Sequence, residues 1–411
     1  MGITPVLDAM AKRGMLLRNA FTCQPVCGPA RASLQTGLYA AATGCFRNSI
    51  PLPPGSPTIA RYLGAVGYDT GYIGKWHLGG GRGPVAAEYR GGYGFWRGSE
   101  VLEHTSHPYD GCLFDENNRS VRLRGYRVDA MTDIVLDFIR RGRDDKPFFL
   151  MASYLEPHFQ NDMNHFVAPD GYAERYRDCY IPPDLAASGA GDWREELPGY
   201  YGCCKSLDEN LGRVLEELDR CGKRDNTVVV FISDHGCHFR TRNAEYKRSC
   251  HESSIRIPLV IDGPGFTGAG ERAELASLVD VPTTLLAAAG APMPPHVHGR
   301  DLHDLTSASA RAAWQNEVFV QISESHTGRA IRTDRWKYSV RAARPTSPEP
   351  PATDVYIEDF LYDLQADPHE LTNLIGDARH AATAEHLRRR LLERIRAADE
   401  RAPVIMSAAR A

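Results

Sequence analysis

Cys27, Pro29 and Arg31 fall within the stretch CQPVCGPARASLQTGLY, which sets a thiol, a proline and a guanidinium at the head of a predicted helix. A helix N-terminus and a nearby cation both favour a thiolate or a bound anion, so Cys27 is the first candidate for chemistry. Cys23 lacks the following Pro and Arg and reads as an inert buried thiol. Further candidates stand where apolar runs end. Lys75 and His77 lie in GKWHLG, His158 in YLEPHFQND, and Asp234 and His235 in VVVFISDHG. A histidine there suits proton transfer near neutrality, and an adjacent Asp-His pair suits a cation. Lys247 in EYKRS reads on its own as part of a solvated basic loop, and Lys75 and His77 suit an ordinary surface turn.

The elements that must position these residues follow from periodicity. ITPVLDAMAKRG has Thr4 as cap, Pro5 at the first helical position and Gly14 as stop, so the sequence opens on a helix. TIARYLGAVGYDTGYIGK reads as helix, turn and strand; YRVDAMTDIVLDFIRRG and YGCCKSLDENLGRVLEELDRCG read as amphipathic helices. KPFFLMASYL and NTVVVFISDHG are continuous apolar runs, which predicts strands buried on both faces. Alternation of helices and apolar strands predicts an α/β fold on a mostly parallel sheet, with ligands gathered at the strands' carboxyl ends. After about residue 305 the texture changes: AIRTDRWKYSV and FLYDLQ read as short strands and HAATAEHLRRRLLERIRAADE as a helix. The expected division is therefore a catalytic α/β domain over 1–305 and a small α+β subdomain over 306–411.

With 411 residues the chain can bury a large core, and its net charge of −4 comes with scattered basic residues. No nucleic acid partner is expected. No run of about 18 apolar residues and no signal-like start occurs, so no membrane span is expected and the sequence reads as cytoplasmic. Ten cysteines without paired spacing read as reduced thiols.

CGPARASLQTG resembles the signature of the formylglycine-dependent sulfatases, of the alkaline phosphatase-like superfamily: Cys-x-Pro-x-Arg, a small or apolar run, then Thr-Gly. GYIGKWHLG, YLEPH, VVVFISDHG, EYKRSCHESSIRIPLVI, AIRTDRWKY and LYDLQADPHELTNL resemble successive segments of the same family, in order. The resemblance implies that a formylglycine-generating enzyme converts Cys27 to Cα-formylglycine, whose hydrate attacks the sulfur of a sulfate ester and later expels sulfate. It implies Arg31 as a catalytic cation, Lys75 and Lys247 as sulfate-binding residues and His77 as a contact to the diol. It gives His158 the role of the acid that protonates the leaving alcohol. It makes Asp234 and His235 ligands of a divalent metal, most often Ca2+. His165, Cys237 and His238 are left outside the site. The implied substrate is a sulfated carbohydrate or a simple aryl sulfate. The same superfamily leaves open a phosphonate or phosphate ester hydrolase, and a truncated, non-catalytic sulfatase-like protein.

The resemblance also implies a buried strand ahead of the opening helix, ending in two adjacent aspartates that complete the metal site. Asp8 falls inside the first helix and Asp144 and Asp145 in a charged turn, so neither replaces it. The expectation is a sheet short of one strand, with backbone groups and apolar faces exposed at a cost of roughly several kcal/mol. Either Met1 is not the true start, or the chain is a remnant.

Overall fold

The computed structural model describes residues 2–142, 146–344, 347 and 349–408; Asp144 and Asp145 lie outside the described residues. Helix α1 (Pro5–Arg13) opens on a proline whose missing N–H costs a helix nothing at its first turn. It stops at Gly14, where a Cβ would lie 2.2 Å from the carbonyl oxygen of Ile261, so only glycine lets the chain pass directly into β1 (Met15–Phe21). Helix α2 (Cys27–Thr36) follows, with Gly37 in the left-handed region as its stop.

Two five-stranded sheets form the larger part. One contains β2 (Asp69–Lys75), β3 (Phe95–Ser99), β4 (Cys112–Phe114), β5 (Ser120–Arg122) and, after helix α3 (Arg127–Arg141), β6 (Phe148–Ser153). Its order is β5-β4-β3-β2-β6, with β2 parallel to both neighbours and Asp69 beside Phe148. Helix α4 (Trp193–Arg220) leads to the second sheet through β7 (Val229–Ile232), β8 (Arg256–Ile257), β9 (Leu259–Asp262) and β10 (Gly270–Ser277). There the order is β10-β1-β9-β7, with β8 also on β1; β10 is parallel to β1, and β9 is antiparallel to both β1 and β7.

Two sequence expectations need correction. The sheets are mixed rather than mostly parallel, because the chain loops over the strand ends between Ser233 and Ile255 and comes straight back as β8 and β9. Such a return requires no crossover helix. The apolar runs of β6 and β7 are half-buried along almost their whole length, not buried on both faces. Each is the edge of its sheet: β6 pairs with β2 and β7 with β9, and among the described residues neither has a second strand partner. A cavity of about 980 Å3 runs between the two edges, lined by residues 148–155 and 227–234. Helix side chains Leu34, Val135, Leu211 and Leu218 cover its sides, with Val281 and Leu285 of α5 (Asp280–Ala288). The carboxyl ends of β6 and β7 meet at Arg31, through Ser153 and Asp234.

The remaining sheet is β11 (Glu317–Ile322), β12 (Gly328–Thr333), β13 (Trp336–Ala342), β14 (Val355–Asp363) and β15 (Val404–Met406), in that order. Helix α6 (Ala381–Ala397) buries Leu387, Leu391 and Ile395 against Tyr338, Val340 and Leu361. Buried Lys337 ties this unit to the rest, reaching Glu252 at 2.8 Å and Glu370 at 2.5 Å.

Candidate active site

Cys27 is the first residue of α2, almost wholly buried, following Val26 in extended backbone. The free amide at the next position does not point at nothing: Gly28 N–H donates to Asn48 Oδ1 at 2.9 Å. Three side chains close on the sulfur. Lys247 Nζ is 3.0 Å from Sγ, His235 Nε2 3.3 Å and Lys75 Nζ 3.9 Å. Burial opposes ionisation of the thiol, but Lys247, Lys75 and His235 outweigh it and hold the Cys27 pKa well below the ordinary thiol value.

The strands supply these groups at their carboxyl ends, as the fold predicts. Lys75 is the last residue of β2, His77 follows in the left-handed region at φ 59°, and Asp234 and His235 follow β7. Arg31, one turn into α2, binds these ends together. Its Nη1 donates to Lys75 O at 2.8 Å and to Ser153 Oγ at 2.6 Å, and its Nε pairs with Asp234 at 3.2 Å. One guanidinium thereby joins β2, β6 and the residue after β7. Burial raises the Asp234 pKa less than His235 and Arg31 depress it, so it lies below the usual carboxylate range.

His158 donates from Nδ1 to its neighbour Phe159 O at 2.6 Å, which leaves Nε2 to accept from Lys247 Nζ at 3.1 Å. Burial, then Lys247 and Lys75, lower its pKa. For Lys247 the order reverses: burial lowers the pKa, but the sulfur of Cys27 raises it further. His235 donates from Nδ1 to Gly236 O at 2.8 Å, which turns the Nε2 lone pair toward Sγ. His77 lines the same pocket, and its buried Nδ1 has no hydrogen-bond partner among the described residues.

All eight sequence candidates, Cys27, Arg31, Lys75, His77, His158, Asp234, His235 and Lys247, line this one cavity. His165 is exposed and outside it. Several residues of the site carried no signal of their own. Glu103, in a short helical turn after β3, is buried and pairs with Lys75 Nζ at 2.7 Å. Asn48 caps α2 and is itself held through its backbone N–H by Glu324 at 2.5 Å. His238 fixes the Lys247 backbone, Nε2–H donating to its carbonyl at 3.1 Å, and Arg127 pairs with Glu156 at 2.7 Å beneath the His158 loop. Glu103 and His238 lie in EVLEHTSHPYDGCLF and CHFRTRN, stretches that read from sequence as loops around the mouth of the pocket.

Cys27, Asp234 and His235 present ligand atoms within 4.8 Å of one another. A thiol, one carboxylate already engaged by Arg31 and one imidazole can hold one face of a cation. They do not fit calcium by themselves, which takes six to eight oxygens.

A helix-borne Cys27 with Lys75, His235 and Lys247 closing on it, from the ends of β2 and β7 and the loop that follows, defines an α/β protein with a pocket suited to an anionic group. The sulfatase family model matches residues 1–291, and the C-terminal model of N-sulphoglucosamine sulphohydrolase matches residues 244–397. An ulvan-active sulfatase of Formosa agariphila is 32% identical over 395 residues, covering 91% of this chain and 72% of that protein. An arylsulfatase of Clostridium perfringens is 28% identical over 452 residues, covering 97% and 90%. Among solved structures, one determined in complex with its substrate D-glucosamine-2-N,6-O-disulfate superposes with a TM-score of 0.81 at 20% identity, covering 96% of this chain and 93% of that one. The chain belongs to the sulfatase family, with the alkaline phosphatase-like α/β fold, and its class is that of the sulfuric ester hydrolases.

Proposed function

We propose that this protein hydrolyses a sulfate ester of a carbohydrate through a formylglycine diol formed from Cys27. The observation that carries this reading is the convergence of Lys75, Lys247, His158 and His235 on the first residue of α2. A thiol has no easy way to expel sulfate once bonded to it. An aldehyde adds water to give two hydroxyls: one gives up its proton to the Asp234–His235 pair as its oxygen attacks sulfur and the S–O bond to the alcohol breaks, and the departing oxygen takes a proton from the His158–Lys247 pair. The other hydroxyl then loses its proton to His77, the C–O bond to sulfate breaks, and the aldehyde is restored. Lys75 and Lys247 stabilise charge on the sulfate oxygens, and Arg31 keeps the three strand ends that carry the site in register.

The carbohydrate preference draws support from the relative named for ulvan and from the structural neighbour holding a glucosamine disulfate. Asp234 and His235 supply part of a divalent cation site, for which Ca2+ is the proposed ion. The domain reading joins the proposal: 1–305 as the catalytic unit, 306–411 as the C-terminal subdomain, and the cleft between β6 and β7 as the seat of one more parallel strand bearing the oxygen donors that the cation site requires. The apolar lining of both edges and the meeting of their carboxyl ends at Arg31, through Ser153 and Asp234, support it. Among the described residues no helix is long and apolar enough to cross a membrane.

The test is release of inorganic sulfate from 6-sulfated glucosamine and from an aryl sulfate by protein co-produced with a formylglycine-generating enzyme. Turnover that vanishes in Cys27→Ala supports the reading; turnover that survives it, or none from any ester with position 27 converted, overturns it.

A further inference from the structure

The end of β11 and the turn after it run along the segments that meet at Cys27. Gln321 N–H donates to Cys23 O at 2.8 Å, and Ser323 Oγ accepts from Gln24 Nε2 at 2.6 Å. Glu324 accepts from Asn48 N–H at 2.5 Å and Asn48 Nδ2 at 3.3 Å, and pairs with Arg248 Nη2 at 2.7 Å. Ser325 Oγ donates to Arg248 O at 2.7 Å. Asn48 in turn accepts from Gly28 N–H beside Cys27, and Arg248 directly follows Lys247. One carboxylate thus stands a single residue away from both the head of α2 and the lysine that closes on it. Ser49, Arg248 and Glu324 all carry side chains in the left-handed region, at φ 66°, 70° and 67°. Such conformations are costly, and three gathered around one carboxylate persist only where surrounding contacts hold them. Two further carboxylates approach. Glu245 meets Arg248 Nη1 at 3.3 Å from an exposed position, where solvent weakens the pair, and Glu349 accepts from Glu324 N–H at 2.6 Å. The Glu324 side chain is 15% exposed, so it is the carboxylate that fixes the guanidinium.

We propose that Glu324 is a positioning residue of the active site: from the C-terminal sheet it sets Lys247 against Cys27 through Arg248, and steadies the head of α2 through Asn48. This deepens the sulfatase reading and rests on it for the part Lys247 plays in turnover. Placement matters because a reacting group misplaced by about 1 Å can lose on the order of a hundredfold in rate. Arg248 N–H also donates to Pro25 O at 3.2 Å, so the Lys247 loop and the approach to α2 are tied to each other as well as to the turn. Glu324→Gln keeps an acceptor for Asn48 and removes the charge that holds Arg248; Glu324→Ala removes both.

The experiment has two readouts on the full chain. Amide exchange by mass spectrometry follows the peptides spanning 24–31, 45–52 and 245–251 in wild type, Glu324→Gln and Glu324→Ala. Glu324→Ala is expected to speed exchange roughly tenfold or more in all three, and Glu324→Gln in 245–251, with β2 and α6 unchanged. No change in 245–251, or equal acceleration throughout the chain, overturns the proposal. The second readout is kcat/KM on an aryl sulfate with position 27 converted. Glu324→Gln should lower it by roughly tenfold to a hundredfold beside an intact Lys247, but by less than about threefold in Lys247→Met, where the group it places is gone. Equal losses in the two backgrounds would assign Glu324 a merely structural role and overturn the proposal. If the converted wild type releases no sulfate, the sulfatase reading falls and the exchange result alone decides on Glu324.

Discussion

Lys247 Nζ lies 3.0 Å from Cys27 Sγ although 220 residues separate them in sequence. The contact exists because the loop that returns the chain from β7 to β8 passes over the N-terminus of α2. Lys247 is held there by its backbone carbonyl, which accepts from His238 Nε2 and from Asn243 Nδ2 at 2.9 Å.

The unconverted thiol should report that contact. A buried cation favours thiolate, so alkylation of Cys27 by iodoacetamide should show a midpoint well below the ordinary thiol value of about 8.5, and Lys247→Met should move it upward. An unchanged midpoint in the variant would mean that Lys247 does not set the charge state of the sulfur.

Arg31 should behave as a brace. Its guanidinium reaches Lys75 O, Ser153 Oγ and Asp234 together, a planar fork that a lysine ammonium cannot reproduce. Arg31→Lys should cost about 3 kcal/mol or more in urea denaturation, whereas Arg18→Lys, in an exposed pair with Glu271, should leave the midpoint almost where it is. Equal costs would place Arg31 outside the framework of the site.

Much of the site was legible because its residues sit in short runs at the ends of apolar strands, where sequence order and spatial order agree. GKWHLG and VVVFISDHG each mark a strand end, and the fold brings all such ends of β2, β6 and β7 to α2. Arg31 was legible as a residue but not in its partners, since nothing local says that one side chain will face three strands. Glu103 and His238 escaped because packing chooses what each one holds: Lys75 ends strand β2, and Lys247 lies nine residues further along the same loop, which folds back on itself. Strand direction was partly hidden too, because RIPLVIDGPG reads identically whether it runs parallel or antiparallel. The half-exposure of β6 and β7 contradicts their apolar composition, which is what an edge made for a further partner looks like.

Backbone exchange should expose those edges. The amides of β6 and β7 directed into the cleft should exchange faster than those of β2, which is paired on both sides, in a native-state hydrogen-exchange experiment. Protection of β6 and β7 equal to that of β2 would show that the cleft is closed in solution.

His158 should matter according to the leaving group. His158→Gln should slow hydrolysis of an alkyl or sugar sulfate by about 10²- to 10⁴-fold, and that of nitrophenyl sulfate much less, since nitrophenolate leaves without a proton. Equal losses on both substrates would remove His158 from proton donation and assign it only to holding Lys247.

The most direct test is peptide mass spectrometry across Cys27 in protein made alongside a formylglycine-generating enzyme, followed by assay of the same sample for sulfate release. The account predicts an aldehyde or its hydrate in place of the thiol, with activity proportional to the fraction converted. A thiol that stays intact while another sulfatase in the same cells is converted, or activity that does not follow conversion, would contradict it.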